Sequence, residues 1–386
     1  MSILQRNFTL FTTLLSFTIS CNCCNINAKH DSSHDKENVA NKKNTTYIAI
    51  NDYFENGINN YTESETNPNA GLYSEFYSNG DMQLDGTSFI SSENDYDEDS
   101  EKGKGYMFVT ETDIPEKVFF ADETIDFRRY DMRERLDREI LNFCNMHTNT
   151  TLIIKRANRY LPEIEQILKK EGMPDDLKYL MLIESNCNPL ARSGVGAVGL
   201  WQFMEGTARE FGLTVNKYVD ERYNIQKATV AACKYLKKAY AKYGNWTATV
   251  ASYNAGQNKI SAELRKQKVE HATDLYLNSE TSRYIFRILA AKIIFENQTK
   301  YGYNISTKAL YPPMIYKEVV VDTTITNLTD WARNQGITYA ILRDANPWLR
   351  ANELPCDGKK YTIRIPDKKW IYYDPSKTKR HNFKAK

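Results

Sequence analysis

The sequence predicts a mainly α-helical protein with a small α+β unit near its C-terminus. Between residues 127 and 296, apolar side chains recur at helical spacing, and glycines stand where several of these stretches end. After residue 303 the pattern changes to two short β-rich runs that enclose two short helical stretches. The first 120 residues show little apolar periodicity, so we expect the folded part to lie in the remainder of the chain.

The chain begins with a segment typical of export signals, predicted to span residues 1–28. One basic residue precedes an apolar run at 8–19 that is too short to span a bilayer. Ser20 stands before Cys21, as the small residue does before the lipidated cysteine of lipoproteins. We therefore predict an exported protein anchored by lipid on Cys21, with the outer membrane as the expected location. The alternative is cleavage after Ala28, which would leave a soluble periplasmic protein.

Charge divides the rest of the chain into two parts. Residues 29–120 are rich in Asn, Asp, Ser and Glu, and such a composition cannot bury enough apolar surface to offset the entropy of ordering. We predict a disordered tether there, either a spacer between anchor and cell wall or a solvated leader without a role. Residues 121–386 carry an excess of Lys and Arg, which suits a polyanionic partner. The export signal argues against nucleic acid as that partner.

The ordered part is predicted to comprise a helical domain at 121–305, the α+β unit at 316–367 and a frayed basic tail at 368–386. The helices expected in the domain are 127–148, 153–171, a buried helix that begins at Leu177, then 207–211, 226–243, 246–253 and 281–296. In the smaller unit, strands at 316–321 and 361–365 should enclose helices at 328–334 and 339–345.

One carboxylate falls inside the apolar stripe of the buried helix. This is Glu184, which follows a run from Leu177 that is apolar nearly all round. Burial of a carboxylate costs several kcal/mol and usually raises its pKa. An acid that is still protonated near neutral pH is what general-acid cleavage of a glycosidic bond requires. The alternative is a buried ion pair, with Arg192 or Arg209 as the partner.

A glycine-containing loop follows this helix. Gly194, Gly196 and Gly199 allow the backbone to approach a ligand closely. The loop continues into Trp201 and Gln202, an aromatic ring and a side-chain amide that suit recognition of a sugar. The alternative is a glycine loop packed under a tryptophan of the core.

Several motifs in the same order resemble the soluble lytic transglycosylase family, and within it the membrane-bound lytic transglycosylase D type. The four central motifs are Glu184-Ser185, Gly199-Leu200-Trp201-Gln202, Ser252-Tyr253-Asn254-Ala255-Gly256, and Ser279-Glu280-Thr281 with Tyr284. Two further segments, Arg159-Tyr160-Leu161-Pro162 and Val219-Asp220-Glu221-Arg222, match the D type. The resemblance implies a goose-lysozyme-like helical domain that cleaves the MurNAc–GlcNAc bond of peptidoglycan without water and leaves 1,6-anhydro-MurNAc ends.

The resemblance also implies roles for individual residues. Glu184 would be the catalytic acid and base, and Tyr253 would lie beside it, although a core aromatic is the alternative for Tyr253. The residues expected to bind glycan in the cleft are Ser193, Gln202, Met204, Tyr253, Asn254 and Glu280. For Glu280 the alternative is a structural acidic residue at a helix N-terminus.

Two other functions compete with this prediction. A hydrolytic muramidase needs a second carboxylate, for which Glu205, Glu210 and Glu280 are the candidates. An inactive scaffold that only binds the cell wall would need the site of Glu184 to be spoiled, and the sequence keeps it intact.

The predicted α+β unit resembles the LysM module, a family that binds N-acetylglucosamine-containing glycans. The matching points are Asp322-Thr323, Asn346-Pro347 and Ile365-Pro366, whereas Val321 replaces the usual glycine. The unit is either a glycan-binding module or a small domain that packs on the catalytic one.

The cysteines and histidines indicate neither a metal nor a cofactor. Cys144 and Cys233 are expected to be small core residues. Cys187 lies near the predicted site but has no histidine near it in sequence, so we reject cysteine catalysis. The histidines show no metal-ligand spacing.

Overall fold

The computed structural model describes residues 112–384, and this part is mainly helical, as predicted. A β-hairpin comes first, followed by eight α-helices of the larger domain. These elements are β1 Lys117–Phe120, β2 Glu123–Asp126, α1 Tyr130–Asn145, α2 His147–Lys170, α3 Leu177–Ser185, α4 Glu205–Glu210, α5 Ile225–Tyr243, α6 Trp246–Ala255, α7 Gln257–Gln267 and α8 Ser279–Glu296. The predicted leader and nearly all of the predicted tether lie outside the described residues.

The C-terminal end of the predicted tether is folded, so its boundary at residue 120 is wrong. Strand β1 pairs antiparallel with β2, with Val118 opposite Ile125. Val118 and Phe120 point into the core of the larger domain, while Lys117 and Phe119 face outward. Because only a few apolar residues carry this strand, the acidic composition of the preceding stretch obscured it.

Two helices also differ from prediction. The break expected between the helices at 127–148 and 153–171 lies earlier, since α1 ends at Asn145 and α2 begins at His147. Helix α7 was not predicted, because its sequence is polar and only Ile260 and Ser261 are buried along it.

The larger domain is organised around α3. All residues from Leu177 to Leu182 are buried, including Lys178, whose Nζ lies 2.9 Å from Glu165 Oε1 and 2.5 Å from Asp175 Oδ2. Helix α3 packs against α2 and α8. A helix that is apolar nearly all round is stable only when enclosed in this way.

The N-terminal end of α3 is fixed by a second buried ion pair. Asp176 accepts a hydrogen bond from Lys292 Nζ of α8 at 2.6 Å, and a second one from the backbone N–H of Ala121 at 2.9 Å. Glu296 accepts from the same Lys292 Nζ at 2.8 Å. The β-hairpin and α8 therefore set the position of α3 along its axis.

The smaller unit has the predicted strand–helix–helix–strand order. It consists of β3 Tyr316–Val321, α9 Leu328–Asn334, α10 Tyr339–Ala345 and β4 Tyr361–Pro366. Strands β3 and β4 pair antiparallel, with Val319 opposite Ile363. Leu328, Leu342 and Ile363 are fully buried in a hydrophobic cluster separate from that of the larger domain.

The tail after Asp367 is ordered, so the prediction of a frayed tail is wrong. A short helix, α11 Lys368–Ile371, is followed by a return of the chain to α2 and α3. The backbone carbonyl of Phe383 accepts a hydrogen bond from Tyr179 Oη at 2.8 Å, and its ring is 4% exposed. His381 also holds this segment, since its backbone N–H donates to Asn158 Oδ1 at 2.8 Å and its ring Nε2 lies 2.8 Å from Glu165 Oε1.

The smaller unit also packs directly on the larger domain. The backbone N–H of Asp220 donates to Trp348 O at 2.9 Å, and that of Arg350 donates to Tyr218 O at 2.8 Å. Val198, from the glycine-containing loop, belongs to the hydrophobic cluster of the smaller unit. The loop after α3 and the C-terminal unit therefore share one core.

Candidate active site

Glu184 lies in the last turn of α3 with a half-buried side chain. The helix ends directly after it, because Asn186 adopts a left-handed conformation with φ of 51°. Asn is among the residues that tolerate this conformation best. The carboxyl group therefore sits at the negative end of a helix dipole, which disfavours its charged form.

Burial raises the pKa of Glu184 to about 7. The hydrogen bond that Tyr284 Oη donates to Glu184 Oε1 acts in the opposite direction, as does the positive charge of Arg287, while the charge of Glu280 adds to the rise. Protonated and ionised forms are thus both accessible near neutral pH. A group that must give and then take a proton needs this property.

The ion pair considered as an alternative for Glu184 does not form. Arg209 donates instead to Glu205 Oε1 at 2.7 Å and to Val215 O at 2.6 Å. Arg192 is exposed, and no salt bridge involves Glu184 within residues 112–384. Among the described residues, the hydrogen bond that contacts this carboxyl group comes from Tyr284 Oη.

Tyr253 is near Glu184, but its hydroxyl donates a hydrogen bond to the glycine-containing loop. Tyr253 Oη donates to Trp201 O at 2.6 Å. Burial first, and then the negative charge of Glu184, raise the pKa of Tyr253 well above its usual range. The hydroxyl that contacts the acid belongs to Tyr284, a residue quoted in the motif at 279–284 but given no role from the sequence. The sequence offered one indication of a role for Tyr284. It lies on the buried face of α8, shortly after the glutamate at the start of this helix.

Trp201 is a core residue and does not present a free face. It is fully buried, and its Nε1–H donates to Thr229 Oγ1 at 2.9 Å. Gln202 adopts φ of 47° and donates from Nε2 to Gly199 O at 2.8 Å and to Ala191 O at 3.2 Å. The amide nitrogen of Gln202 is therefore engaged within the loop. A hydrogen bond from this side chain to a ligand would use the amide oxygen.

Gly199 permits a close approach between the loop and the chain around Arg222. Its φ is +78°, and a Cβ at this position would lie 2.1 Å from Arg222 O. No side chain fits there without movement of the backbone. The backbone conformation and this close approach together explain why a glycine stands at position 199.

Arg222 is a residue whose importance the sequence analysis missed. Its side chain is 8% exposed, and its guanidinium pairs with both oxygens of Asp220, at 2.9 and 2.8 Å. Its Nη1 donates to Gly196 O at 3.1 Å and to Phe203 O at 3.2 Å, which joins the two ends of the glycine-containing loop. Since the backbone of Asp220 is bonded to Trp348, this arginine connects the loop to the smaller unit.

The other predicted glycan-binding residues occupy three places. Ser193 and Met204 lie on the loop; Ser193 Oγ accepts from Ala197 N at 3.0 Å, and Met204 is 45% exposed. Glu280 is exposed in the first turn of α8. Asn254 is half-buried next to Tyr253, and no hydrogen bond joins its side chain to the other predicted residues within the described chain.

Two of the three candidate second carboxylates are engaged elsewhere. Glu205 pairs with Arg209, and Glu210 pairs with Lys238 Nζ at 2.8 Å, both on the exposed face of α4. Of the three, only Glu280 acts on Glu184, through its charge.

Burial raises the pKa of Cys187 to about 12, which keeps this thiol protonated and weakly nucleophilic. Within residues 112–384 no group of three or more His, Cys, Asp and Glu could hold a metal ion.

We expect Gly199→Ala to destabilise the loop and the whole domain. A left-handed conformation alone costs a residue with a Cβ about 1–2 kcal/mol, and the contact with Arg222 O adds to that cost. Urea unfolding measures the loss in free energy of unfolding. Gly194→Ala is the matched control, because a Cβ there would meet no atom within 4 Å and the backbone is not left-handed. Equal stability of the two variants would contradict the assignment.

Comparison with known proteins agrees with this arrangement. Residues 162–275 match the family profile described as Transglycosylase SLT domain. Residues 317–369 match the profile described as Soluble lytic transglycosylase C-terminal LysM-like domain. The first match contains Glu184 and the loop, and the second covers most of the smaller unit.

Similar proteins carry related names. Membrane-bound lytic murein transglycosylase D of Escherichia coli (strain K12) is 28% identical over 242 residues, 61% of this chain and 52% of that protein. A putative tributyltin chloride resistance protein of Alteromonas sp. (strain M-1) is 30% identical over 106 residues, 27% of this chain and 51% of that protein. The chain thus spans about half the length of these relatives.

Among solved structures, the 70 kDa soluble lytic transglycosylase SLT70 of Escherichia coli is 21% identical, with a TM-score of 0.30, and the match covers 39% of this chain and 26% of that one. The family profiles are the decisive findings. The chain carries a transglycosylase SLT domain at residues 162–275, followed by a soluble lytic transglycosylase C-terminal LysM-like domain at residues 317–369.

Proposed function

We propose that the protein is a lytic transglycosylase that cleaves the β-1,4 bond between MurNAc and GlcNAc in peptidoglycan without water. The observation that carries this proposal is Glu184, whose pKa of about 7 and single hydroxyl partner suit one group to both proton transfers. The SLT domain and the names of the relatives support the substrate class. The cellular role would be cell-wall remodelling.

In the first step, protonated Glu184 donates its proton to the glycosidic oxygen as the bond from C1 of MurNAc to that oxygen breaks. The N-acetyl group of the same sugar helps to stabilise the positive charge that develops at C1. Tyr284 Oη, which already donates to Glu184 Oε1, stabilises the carboxylate that results. The leaving GlcNAc therefore departs as a neutral alcohol.

In the second step, the Glu184 carboxylate removes the proton from the C6 hydroxyl of MurNAc. The C6 oxygen then bonds to C1 and closes a 1,6-anhydro ring, and Glu184 is protonated again. No water is consumed and no cofactor is needed, so atoms and charge balance within the substrate and one side chain. The residues proposed to hold the glycan are those of the loop and its surroundings: Ser193, Gln202, Met204, Tyr253, Asn254 and Glu280.

A hydrolytic muramidase is the second candidate, and one observation favours it. Glu280 is exposed at the start of α8, and its charge acts on Glu184. A hydrolase needs such a second carboxylate to activate water or to attack C1. The raised pKa of Glu184 serves either mechanism, so the product distinguishes them.

We further propose that residues 1–28 are an export leader and that lipid on Cys21 anchors the protein in the bacterial envelope. The names of relatives that are membrane-bound transglycosylases support this. Cys21 lies outside the described residues. Among residues 112–384, no helix is long and apolar enough to cross a membrane.

Glu184→Gln should reduce cleavage of purified peptidoglycan by about 10²–10⁴-fold, the typical value of general acid–base catalysis. The amide keeps the shape of the side chain and can hydrogen-bond Tyr284, but it has no transferable proton. Release of soluble muropeptides measures activity, and thermal unfolding should show that the fold is kept. Glu210→Gln, on the exposed face of α4, is the matched control. Near-normal cleavage by Glu184→Gln would remove Glu184 from the mechanism.

Tyr284→Phe should move the alkaline limb of the pH–rate profile to higher pH. The lost hydrogen bond favours the ionised form of Glu184, so its removal raises the pKa above about 7. Glu184 must be protonated in the free enzyme for the first step. With the higher pKa, a larger fraction of Glu184 stays protonated at alkaline pH. At about 1.4 kcal/mol per pH unit, a charged hydrogen bond corresponds to about one unit. Tyr243→Phe is the control, because the Tyr243 hydroxyl donates to Gln257 O instead. If the alkaline limb of the Tyr284→Phe profile stays at the wild-type pH, the hydrogen bond from Tyr284 to Glu184 is refuted.

The anchoring proposal predicts that the full-length protein sediments with membranes after expression in a Gram-negative host. Cys21→Ser should release it into the soluble fraction, because the acyl acceptor is lost. Release of the unchanged protein by a high-salt wash would show that charge, rather than lipid, holds it there.

A further inference from the structure

A cavity of about 580 Å³ lies where the larger domain, the smaller unit and the C-terminal tail meet. Most of its wall comes from α2, the start of α5, the connector at 309–316, the ends of α10 and β4, and α11 with the segment that follows it. Cavities of about 300–1,000 Å³ at domain junctions are common sites for small molecules. None of the residues proposed for the catalytic cleft lines it.

The connector that forms one wall is held in place by α2. Asn158 Nδ2 donates to Tyr311 O at 2.9 Å, and Arg159 Nε donates to Pro312 O at 3.1 Å. On the opposite side, Asn346 bonds the backbone of Arg364 in both directions, at 2.8 and 2.7 Å. The cavity is therefore bounded by fixed backbone on two sides.

Aromatic side chains make up much of the lining. They include Tyr160, Tyr311, Tyr316, Trp348, Trp370 and Tyr373. Flat rings pack well against the C–H faces of pyranose sugars, while their polar atoms reach water or ligand hydroxyls. A purely apolar ligand would leave the charged groups of the same cavity unpaired.

Two cations in the lining have no carboxylate partner in the part of the chain that the structure describes. The Nζ of Lys155 and the guanidinium of Arg159 lie over the ring of Tyr311, at 5.5 and 5.3 Å from its centroid. Neither side chain forms a salt bridge within residues 112–384. Arg364, in contrast, is neutralised by Glu163. Asp344 is the one lining acid that likewise lacks a salt bridge within the described chain, so the unpaired charge is positive.

We propose that this cavity is a second ligand site, for a saccharide that carries a carboxylate. The aromatic walls would hold the sugar rings, and Lys155 and Arg159 would pair with the acid. The identification of the saccharide as a MurNAc-containing fragment of peptidoglycan rests on the proposed function, since the lactyl group of MurNAc supplies such a carboxylate wherever no stem peptide is attached to it. The segment Arg159-Tyr160-Leu161-Pro162, which the catalytic site leaves unexplained, contributes its first two residues to this site.

The test uses the full chain with the Glu184→Gln substitution, which prevents turnover, and 5-fluorotryptophan in place of the five tryptophans. Single Trp→Phe variants assign the ¹⁹F resonances. Trp348 and Trp370 report on the cavity, and Trp201 reports on the loop beside Glu184. The disaccharide GlcNAc-MurNAc is the ligand, and neutral (GlcNAc)₂ is the comparison.

We expect saturable shifts of the Trp348 and Trp370 resonances with GlcNAc-MurNAc and much weaker ones with (GlcNAc)₂. Lys155→Gln should weaken the binding about tenfold, the usual effect of losing a charged hydrogen bond. Asp344→Asn should tighten it, because a repulsive charge is removed. Lys169→Gln removes the same charge roughly 21 Å farther along α2, at about 1.5 Å per residue, and should change nothing.

Three results would overturn the proposal. They are an unmoved Trp370 resonance at millimolar disaccharide, equal effects of Lys155→Gln and Lys169→Gln, and equal affinity for the neutral sugar. Cleavage by the unsubstituted protein is measured separately. Absence of cleavage with intact cavity binding would remove the proposed catalysis only, and cleavage without cavity binding would remove this site only.

Discussion

The position of the Glu184 carboxylate depends on α3, a helix that is stable only when other elements enclose it. Helix α3 is buried from Leu177 to Leu182, so its stability comes from enclosure by α2 and α8. Its N-terminal end is fixed by Asp176 between Lys292 and the hairpin. Because the helix is held along its whole length, Glu184 at its other end has little freedom to escape burial. The raised pKa follows from that constraint, and the proposed chemistry follows from the pKa.

The second constraint acts on the glycine-containing loop that follows α3. Arg222 and Asp220 form a buried pair that would be costly to break, since one charge would be left unpaired. The same arginine ties both ends of the loop, and its neighbours Val219 and Tyr223 belong to the core of the smaller unit. The C-terminal unit is therefore a support of the candidate active site, whatever glycan affinity it has. Removal of this unit would expose Val198 and loosen the loop.

What the sequence could predict depended on local signals. The apolar run before Glu184 predicted the buried helix that carries it. Two β-rich runs around two short helical stretches predicted the strand–helix–helix–strand order of the smaller unit. Features that join distant segments were missed. Nothing near Arg222 in sequence indicates that it binds carbonyl groups before and after Gly199, and nothing near Phe383 indicates that Tyr179 would anchor it. Trp201 was read partly as a sugar platform, but its indole N–H finds Thr229 in the core, which only the three-dimensional packing reveals.

The central claim is that Glu184 acts without a water molecule as nucleophile. Digestion of purified peptidoglycan in H₂¹⁸O, followed by mass spectrometry of the muropeptides, tests this directly. The account predicts products one water lighter than muramidase products, with no ¹⁸O at C1 of MurNAc. Reducing-end MurNAc that carries ¹⁸O would contradict it, and would assign Glu280 or another carboxylate the task of activating water.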